Sequence, residues 1–197
     1  MFTVNFSKKL IGWYQANKRD LPWRLTNDPY TIWVSEIILQ QTRVDQGTVY
    51  FNRFMTTFPD IRSLASSSEN EVLKLWQGLG YYTRARNLHK TSRIIMERYN
   101  GVFPLNYDEI ISLPGVGEYT GSAIVSFAYN MPYPVVDGNA WRVLSRIFGI
   151  DSPAGSHRGK RMVAAKAFEL MDKKDPSTFN QAIMEFGALR CKPVNPE

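Results

Sequence analysis

Cysteine, long apolar runs and alternating strand patterns are almost missing from this sequence. A single cysteine, Cys191, stands among 197 residues, which excludes an intramolecular disulfide. No uninterrupted apolar stretch reaches the roughly 18 residues of a membrane-spanning helix, so we expect no membrane partner. The N-terminus lacks the basic-then-apolar order of a signal peptide. We therefore expect a cytoplasmic protein.

Apolar residues recur instead at three- and four-residue spacing along almost the whole chain, which is the period of packed helices. Glycine- and proline-containing breaks separate about ten such segments. Only residues 133–136 have an extended character, and the prolines there disfavour a central strand. The pattern predicts an all-α fold, with its best internal boundary at Pro132 to Pro134.

One carboxylate interrupts the most apolar of these segments, Trp33 to Leu39. Glu36 follows Ile32 by four residues and Trp33 by three, so on a helix it shares their apolar face. Burial on such a face raises the pKa of a carboxyl, and a neutral acid near pH 7 can protonate a substrate. The alternative is a structural glutamate held by a hydrogen bond or an arginine.

Positive charge is in moderate excess and is clustered. The net charge is +6 and the isoelectric point about 9.4. Such clusters suit a polyanion, most simply a nucleic acid, although an ordinary solvated surface is the alternative. The three basic groups are Lys8, Lys9, Lys18 and Arg19; Arg84, Arg86, Lys90 and Arg93; and Arg158, Lys160 and Arg161.

A glycine-containing loop, Leu113 to Gly117, lies between two predicted helices. Gly115 and Gly117 permit positive φ and expose backbone N–H groups. Together with the helix N-terminus behind them, these groups can bind a phosphate. A tight helix-to-helix turn without a ligand is the alternative.

Four separated segments carry a resemblance to a known family: Trp33 to Thr42, Gly78 to Tyr82, Leu113 to Gly117, and Pro134 to Asn139. The chain resembles the helix-hairpin-helix DNA glycosylases of base excision repair. Within them it is most similar to the MutY-type adenine glycosylases, which remove adenine mispaired with 8-oxoguanine or guanine.

The resemblance covers nearly the whole chain and implies an architecture. It implies the helix-hairpin-helix glycosylase fold, with two helical lobes and the active site in the cleft between them. Residues 28–131 would form a six-helix lobe with the hairpin, and residues 1–27 and 132–197 the second lobe. The implied partner is double-stranded DNA with an A:8-oxoguanine or A:G mispair, bound by a monomer.

The resemblance also assigns the chemistry, which divides between two carboxyl groups. Glu36 would protonate a ring nitrogen of adenine, while an ionised Asp137 would stabilise the oxocarbenium-like sugar and Asn139 would help to orient the site. Asp137 precedes a predicted helix, where amide bonds and the helix dipole favour a charged carboxylate. Endonuclease III-type enzymes have a nucleophilic lysine where this chain has Tyr119. Without that amine no Schiff base forms, so we predict a monofunctional glycosylase that leaves an abasic site.

Further residues are assigned by position in the family's motifs. The adenine has to leave the helical stack, and an inserted side chain offsets part of the cost. For Tyr81 and Tyr82 the alternative is packing in the core. The implied pocket residues are Trp23, Arg24 and Gln181. The implied DNA contacts are Gln40, the inserted Gln41, Leu79, the wedge Tyr81, and the loop backbone of Gly115, Val116 and Gly117.

Metal binding is implied as well. Relatives of this type carry four cysteines, spaced Cys-x6-Cys-x2-Cys-x5-Cys, around a [4Fe–4S] cluster. Cys191 fits the first ligand, and the second would fall one residue beyond Glu197. We therefore expect the cluster in a full-length parent and not in this chain alone. The hairpin carbonyls of Ile111, Leu113 and Val116 are implied ligands of K⁺ or Na⁺.

Two other classes of function stay open at this point. A thymine-mismatch or endonuclease III-like glycosylase shares the fold, although the Ser-Glu-x-x-Leu-Gln-Gln pattern around Glu36 favours the adenine enzyme. A non-catalytic helix-hairpin-helix DNA-binding module needs the phosphate loop but neither carboxyl group.

Overall fold

A computed structural model describes residues 2–153 and 156–196, and within these ranges it contains no β-strand. The all-α prediction is confirmed. One 3₁₀ turn, Pro22–Arg24, precedes the second helix. The α-helices are α1 (Phe2–Asn17), α2 (Pro29–Leu39), α3 (Val44–Thr57), α4 (Ile61–Ser66), α5 (Glu69–Trp76), α6 (Thr83–Tyr99), α7 (Tyr107–Ile111), α8 (Glu118–Tyr129), α9 (Gly138–Phe148), α10 (His157–Leu170) and α11 (Pro176–Leu189).

Helix α4 is the element that the sequence pattern missed. Its buried residues, Ile61 and Leu64, form a single three-residue spacing, which is too little to show a helical period. Its start is nevertheless encoded locally by a capping box, in which the Asp60 carboxylate accepts the Ser63 N–H at 2.8 Å and the Ser63 hydroxyl returns a bond to the Asp60 backbone. The described chain thus has eleven α-helices where we predicted about ten.

The chain divides into two compact units, a central unit of Leu21–Ala128 and a terminal unit of Met1–Asp20 with Tyr129–Glu197. The boundaries proposed from the sequence lie a few residues later at both places. The segment before α2 belongs to the central unit because Trp23 is buried there against Phe51, edge to face with ring centroids 5.2 Å apart. The central unit contains seven α-helices, α2 to α8, against the predicted six.

Helix α2 lies at the centre of its unit. It packs against the 3₁₀ turn, α3 and α6, so every residue from Ile32 to Ile38 is buried. The sequence predicted one buried face, but three neighbours leave almost no exposed side. The indole of Trp33 meets Phe103 and Tyr30 edge to face, at centroid distances of 5.3 and 6.3 Å.

The terminal unit is built around α11, which packs against α1 and α9. Its core includes Leu144, Val163, Phe179 and Ile183. Helices α9 and α11 come close at Gly187, where an added Cβ would lie 2.8 Å from the carbonyl oxygen of Asn139. In the described residues of both units, no helix combines the length and apolar character needed to cross a bilayer.

Candidate active site

Glu36 lies in the third turn of α2 and is 7% exposed. The helix starts as the sequence predicts, because the Asp28 carboxylate accepts the Thr31 N–H at 2.8 Å and Pro29 occupies the first helical position. The predicted carboxyl group in an apolar setting is therefore present in the structure. Its catalytic role remains a prediction.

Asp137 is the N-cap of α9, and both of its carboxylate oxygens are hydrogen-bonded. Oδ1 accepts the Ala140 N–H at 2.7 Å, and Oδ2 accepts Asn139 Nδ2 at 2.7 Å. The side-chain oxygen Oδ1 of Asn139 in turn accepts a hydrogen bond from Arg142 Nη2 at 2.8 Å, which fixes the orientation of the amide. Asn139 thus links Asp137 to Arg142, a residue that the sequence analysis did not single out.

The pKa of Asp137 departs from the sequence expectation in one respect. Burial raises the pKa of its carboxyl above the usual aspartate value, although the bonds from Ala140 and Asn139 and the nearby Arg142 charge act to lower it. The N-cap argument considered only the stabilising bonds. It omitted desolvation, which is the largest influence at this position.

The hairpin loop, Leu113 to Gly117, uses its two glycines differently. Gly115 has φ +78°, and an added Cβ would lie 2.7 Å from Asn87 Cβ, so only glycine fits without displacement. Gly117 does not have positive φ, so it does not use the conformational freedom that the sequence permits there. The amides of Gly115 and Gly117 meet no acceptor within the described part of the chain.

The amide of Val116 corrects another expectation. Its N–H donates to the Leu113 carbonyl at 3.1 Å, since the loop closes on itself as a turn, and it is therefore not available to a phosphate. The loop is also held from outside, where the Thr91 hydroxyl donates to the Pro114 carbonyl at 2.8 Å. Leu113 and Val116 are both buried.

Two residues predicted to enter DNA have unusual backbones. Gln41 has φ +59° and Tyr81 has φ +47°, a left-handed conformation that side chains other than glycine rarely adopt. Tyr81 is 69% exposed and Tyr82 40%, so packing of this pair in the core is excluded. Strained backbones gather at binding and catalytic sites, which is consistent with the predicted contacts. Leu79, by contrast, is buried.

Comparison with known proteins decides the family. Residues 34–173, well over half of the chain, match the family described as HhH-GPD superfamily base excision DNA repair protein. The chain belongs to the HhH-GPD superfamily.

Curated relatives within this superfamily cover almost all of the chain. It is 41% identical to the adenine DNA glycosylase of Buchnera aphidicola subsp. Acyrthosiphon pisum (strain APS), over 98% of this chain and 55% of that protein. It is 42% identical to the adenine DNA glycosylase of Rattus norvegicus, over 97% of this chain and 39% of that protein. The chain therefore spans about half the length of the curated relatives it matches, or less. These relatives confirm the resemblance to the adenine glycosylases.

Solved structures confirm the fold of the HhH-GPD superfamily. The structure of a thermostable thymine-DNA glycosylase aligns with a TM-score of 0.89 and 29% identity, over 98% of this chain and 89% of that one. A non-covalent endonuclease III–DNA complex aligns with a TM-score of 0.82 over 98% of this chain and 87% of that one. Because the identity is 22%, this similarity supports the fold alone.

Tyr119, which the resemblance places where endonuclease III-type enzymes have their lysine, is the second residue of α8 and is half-buried. Its role stays a prediction. The residues assigned to the adenine pocket have internal contacts. Trp23 is buried against Phe51, and Gln181 accepts the Tyr14 hydroxyl at 2.7 Å while its amide reaches the Ser177 hydroxyl at 3.3 Å. Arg24 is half-buried in the 3₁₀ turn. Their contribution to base binding stays a prediction.

Four arginines of the first two basic groups are engaged within the protein, so they are less available than the sequence indicated. Arg19 forms an ion pair with buried Glu185 at 2.7 Å, and Arg86 with Glu69 at 3.2 Å. Arg84 and Arg93 donate to backbone carbonyls of their own unit. The guanidinium group forms several directional bonds, so arginines that look like surface charge in sequence are used to fasten loops and helices.

The cysteine predicted as the first cluster ligand is buried in the structure. Cys191 is a buried free cysteine after α11, and Arg146 Nη1 lies 3.4 Å from its sulfur. Across the residues that the structure describes, no group of three or more histidine, cysteine, aspartate and glutamate side chains is placed to hold a metal ion. A [4Fe–4S] cluster needs four thiolates, so the residues present do not form a complete site.

The structural roles of three residues escaped the sequence analysis, which named Arg84 only as part of a basic group. Arg84 and Arg142 each form several hydrogen bonds. Key acceptors, the Ile37 carbonyl for Arg84 and the Gly187 carbonyl for Arg142, are distant in sequence, so the local sequence gives no signal of them. Gly121 did leave a signal, a glycine inside a helix, which often marks close packing. An added Cβ at Gly121 would lie 2.5 Å from Ile111 Cγ2, so this glycine lets the two hairpin helices approach.

Proposed function

We propose that this protein is a monofunctional DNA glycosylase that removes adenine mispaired with 8-oxoguanine or guanine. The proposal rests above all on Glu36, a buried carboxyl group in α2 of a chain that is 41% identical to a curated adenine DNA glycosylase. Since the chain spans 55% of that relative, the activity of the whole protein is part of the proposal.

DNA binding is assigned to the hairpin and to two exposed loops of the central unit. The Gly115 and Gly117 amides, with α8 behind them, suit one backbone phosphate, and such a contact positions DNA without reading its sequence. Gln41 and Tyr81 then enter the duplex and Gln40 assists them. An inserted side chain replaces the stacking that the everted adenine loses.

Base release starts with proton donation from Glu36 to a ring nitrogen of the everted adenine. The apolar surroundings of α2 favour the neutral carboxylic acid, which is the form that donates. Protonation turns adenine into a better leaving group, so the N-glycosidic bond breaks with positive charge developing on the sugar. Trp23, Arg24 and Gln181 are the proposed contacts to the base.

Asp137 stabilises that positive charge in its ionised form. Its oxygens are fixed by the Ala140 amide and the Asn139 side chain, so the carboxylate does not need to reorient during the reaction. Water then attacks the sugar and completes the hydrolysis. Because Tyr119 offers no amine, no Schiff base forms and the strand stays intact at the abasic site.

The proposed metal sites lie outside this chemistry. Cys191 would supply one of the four thiolates of a [4Fe–4S] cluster in the whole protein. The carbonyls of Ile111, Leu113 and Val116 would hold K⁺ or Na⁺ near the hairpin. One thiolate does not make a cluster site, and no reaction step is assigned to it.

A single-turnover assay with excess protein tests the proposal. The duplexes carry adenine opposite 8-oxoguanine, adenine opposite guanine, thymine opposite guanine, or normal adenine opposite thymine. We expect free adenine from the first two duplexes and no release from the others. Strand cleavage should appear only after alkali treatment, because the product is an intact abasic strand.

Two outcomes would replace the proposal. Thymine release from the G:T duplex would favour a thymine-mismatch enzyme, the activity in the name of the structural neighbour at TM-score 0.89. Duplex binding without release of any base would favour a helix-hairpin-helix DNA-binding module.

A further inference from the structure

A single guanidinium group, that of Arg84, joins two loops of the central unit. Arg84 is the second residue of α6. Its Nη1 donates to the carbonyls of Ile37 at 2.9 Å and Ile38 at 3.2 Å, and also to that of Gln40. Carbonyls at the end of a helix lack intrahelical partners. Arg84 therefore caps the C-terminus of α2, where the helix dipole favours a cation.

The other side of the same group reaches the loop before Tyr81. Arg84 Nη2 donates to the Leu79 carbonyl at 3.3 Å and lies 3.4 Å from the Gly80 carbonyl. The guanidinium carbon lies 5.4 Å from the centre of the Trp76 ring and 5.6 Å from that of Tyr81. Both distances are within the range of cation–π attraction.

Each of the two loops continues directly into a residue with a strained backbone. Gln40 and Gly80 accept hydrogen bonds from Arg84, and the next residues are Gln41 and Tyr81, whose φ angles are positive. A left-handed backbone at such residues persists only where its surroundings fix it. The contacts of Arg84 provide that fixation on both sides at once.

We propose that Arg84 is a positioning residue that holds Gln41 and Tyr81 in one fixed arrangement, so that both enter the duplex together and speed eversion of the adenine. The inference rests on the proposed function, because it assumes that these two residues penetrate DNA. Arg84 itself contacts neither the base nor the reacting atoms. Its effect passes through the two loops.

Only an arginine fits this arrangement. The guanidinium group presents N–H donors on a rigid plane and serves carbonyls on two sides, whereas a lysine ammonium is a compact point charge. Arg84→Lys therefore keeps the charge and removes the bridge. Arg86→Lys is the matched control, two residues along the same helix, because Arg86 pairs with Glu69 on the surface with 53% of its side chain exposed.

A cavity of about 120 Å³ lies between Arg84 and the hairpin loop. Its lining includes Gln40, Arg84, Asn87 and Gly115, so a substitution at Arg84 can alter DNA binding by the hairpin as well as eversion of the adenine. The two effects therefore need separate measurements. Equilibrium binding of an undamaged duplex reports on the hairpin, and single-turnover base release at saturating protein reports on eversion and chemistry. We expect Arg84→Lys to leave the first within about twofold, since the change conserves charge.

The decisive comparison uses two substrates that differ in how firmly the adenine is stacked. One has adenine opposite 8-oxoguanine, and the other has adenine opposite an abasic-site analogue, where it has no pairing partner. We expect Arg84→Lys to slow release from the paired duplex about tenfold, the size of one lost charged hydrogen bond. Release from the unpaired adenine should slow by less than about threefold, because an adenine without a pairing partner costs little free energy to evert and depends less on the inserted side chains. Arg86→Lys should match the wild type on both.

Equal slowing on both substrates would overturn the inference, because it would indicate a general scaffold defect, and so would an unchanged rate. Hydrogen exchange gives a readout that needs no activity. In Arg84→Lys the amides of residues 40–42 and 78–82 should exchange faster while those of α8 keep their wild-type rates. Uniform acceleration throughout the central unit would also overturn it. A wild-type protein that releases no adenine would refute the proposed function, and hydrogen exchange would still decide the role of Arg84.

Discussion

Each unit of the molecule buries a glutamate in the middle of a helix, and the two helices give these carboxyl groups different surroundings. Glu185 in α11 is fully buried, and Arg19 binds it through its backbone N–H at 2.9 Å, Nε at 2.8 Å and Nη2 at 2.7 Å. Glu36 in α2 is 7% exposed and stands between buried Ser35 and Ile37 in the most apolar helix of the chain.

This comparison shows that burial alone does not identify a catalytic acid. A buried carboxylate with a two-pronged arginine partner is held in its charged form as part of the scaffold. Glu185 is therefore an example of the purely structural role that is the alternative to catalysis for Glu36. The two glutamates differ in their location. Glu36 lies in the apolar helix that leads into Gln40 and Gln41, whereas Glu185 forms an ion pair between a helix and a loop.

The largest expected effect tests this contrast directly. Glu36→Gln removes the proton donor, so we expect single-turnover adenine release to fall between about 10² and 10⁴-fold, the usual contribution of general acid catalysis. Urea denaturation of Glu36→Gln then separates the loss of the proton donor from any loss of folded protein.

Glu185→Gln should show the opposite pattern. It weakens a buried ion pair, so we expect about 1–3 kcal/mol lower unfolding free energy, with Arg19 partly rehydrated, and a near-normal release rate for the folded protein. If Glu185→Gln abolished release at full stability, or Glu36→Gln kept the wild-type rate, the assigned roles of the two glutamates would be wrong.

The sequence was sufficient for the Glu36 site and insufficient for the Glu185 pair. Helix α2, its Asp28 cap and the carboxyl inside it are local features, readable within a dozen residues. Arg19 and Glu185 stand 166 residues apart, and nothing local marks them as partners. Without that knowledge, Arg19 looked like part of a basic surface.

The same limit explains the errors at Asp137 and Val116. Capping geometry is a local matter and was predictable, but the burial that raises the pKa of Asp137 depends on what packs around it. The turn that occupies the Val116 amide depends on the conformation of the Leu113 carbonyl, which two glycines leave undetermined.

A glycine substitution extends the comparison to Asp137, the remaining carboxyl of the proposed mechanism. An Ala Cβ at Gly187 would lie 2.6 Å from Asn139 Cβ and 2.8 Å from its carbonyl oxygen, so α9 and α11 would have to separate. We expect Gly187→Ala to lower the unfolding free energy by about 1–3 kcal/mol. Because Asn139 moves with α9, adenine release by the folded protein should slow as well.

Gly12→Ala is the matched control for that substitution. Gly12 lies inside α1 of the same unit and nothing stands within 4 Å of an added Cβ. Replacing glycine by alanine in an open helical position should stabilise the protein by about 0.5–1 kcal/mol. Urea denaturation of both variants checks the pair, and equal stabilisation by the two would contradict the close approach at Gly187.

The smallest expected effect is a displacement of the pH profile. Asn139 Nδ2 donates to Asp137 at 2.7 Å and so favours the charged form of the carboxylate, opposing the burial that raises its pKa. Asn139→Ala removes this bond, so the pKa of Asp137 should rise further. If release requires ionised Asp137, the acid limb of the pH–rate profile should move to higher pH, while the rate on the plateau falls by about tenfold or less.

The raised pKa of Asp137 should also make the unfolding free energy depend on pH. A carboxyl whose folded pKa lies above its unfolded pKa binds protons more tightly when folded, so its contribution to stability is lost as pH rises through the folded pKa. That loss should be larger in Asn139→Ala than in wild type. Asn17→Ala is the control, since Asn17 donates only to the exposed Trp13 carbonyl of its own helix. An acid limb that stays in place in Asn139→Ala would mean that ionisation of Asp137 does not set the acid side of the profile.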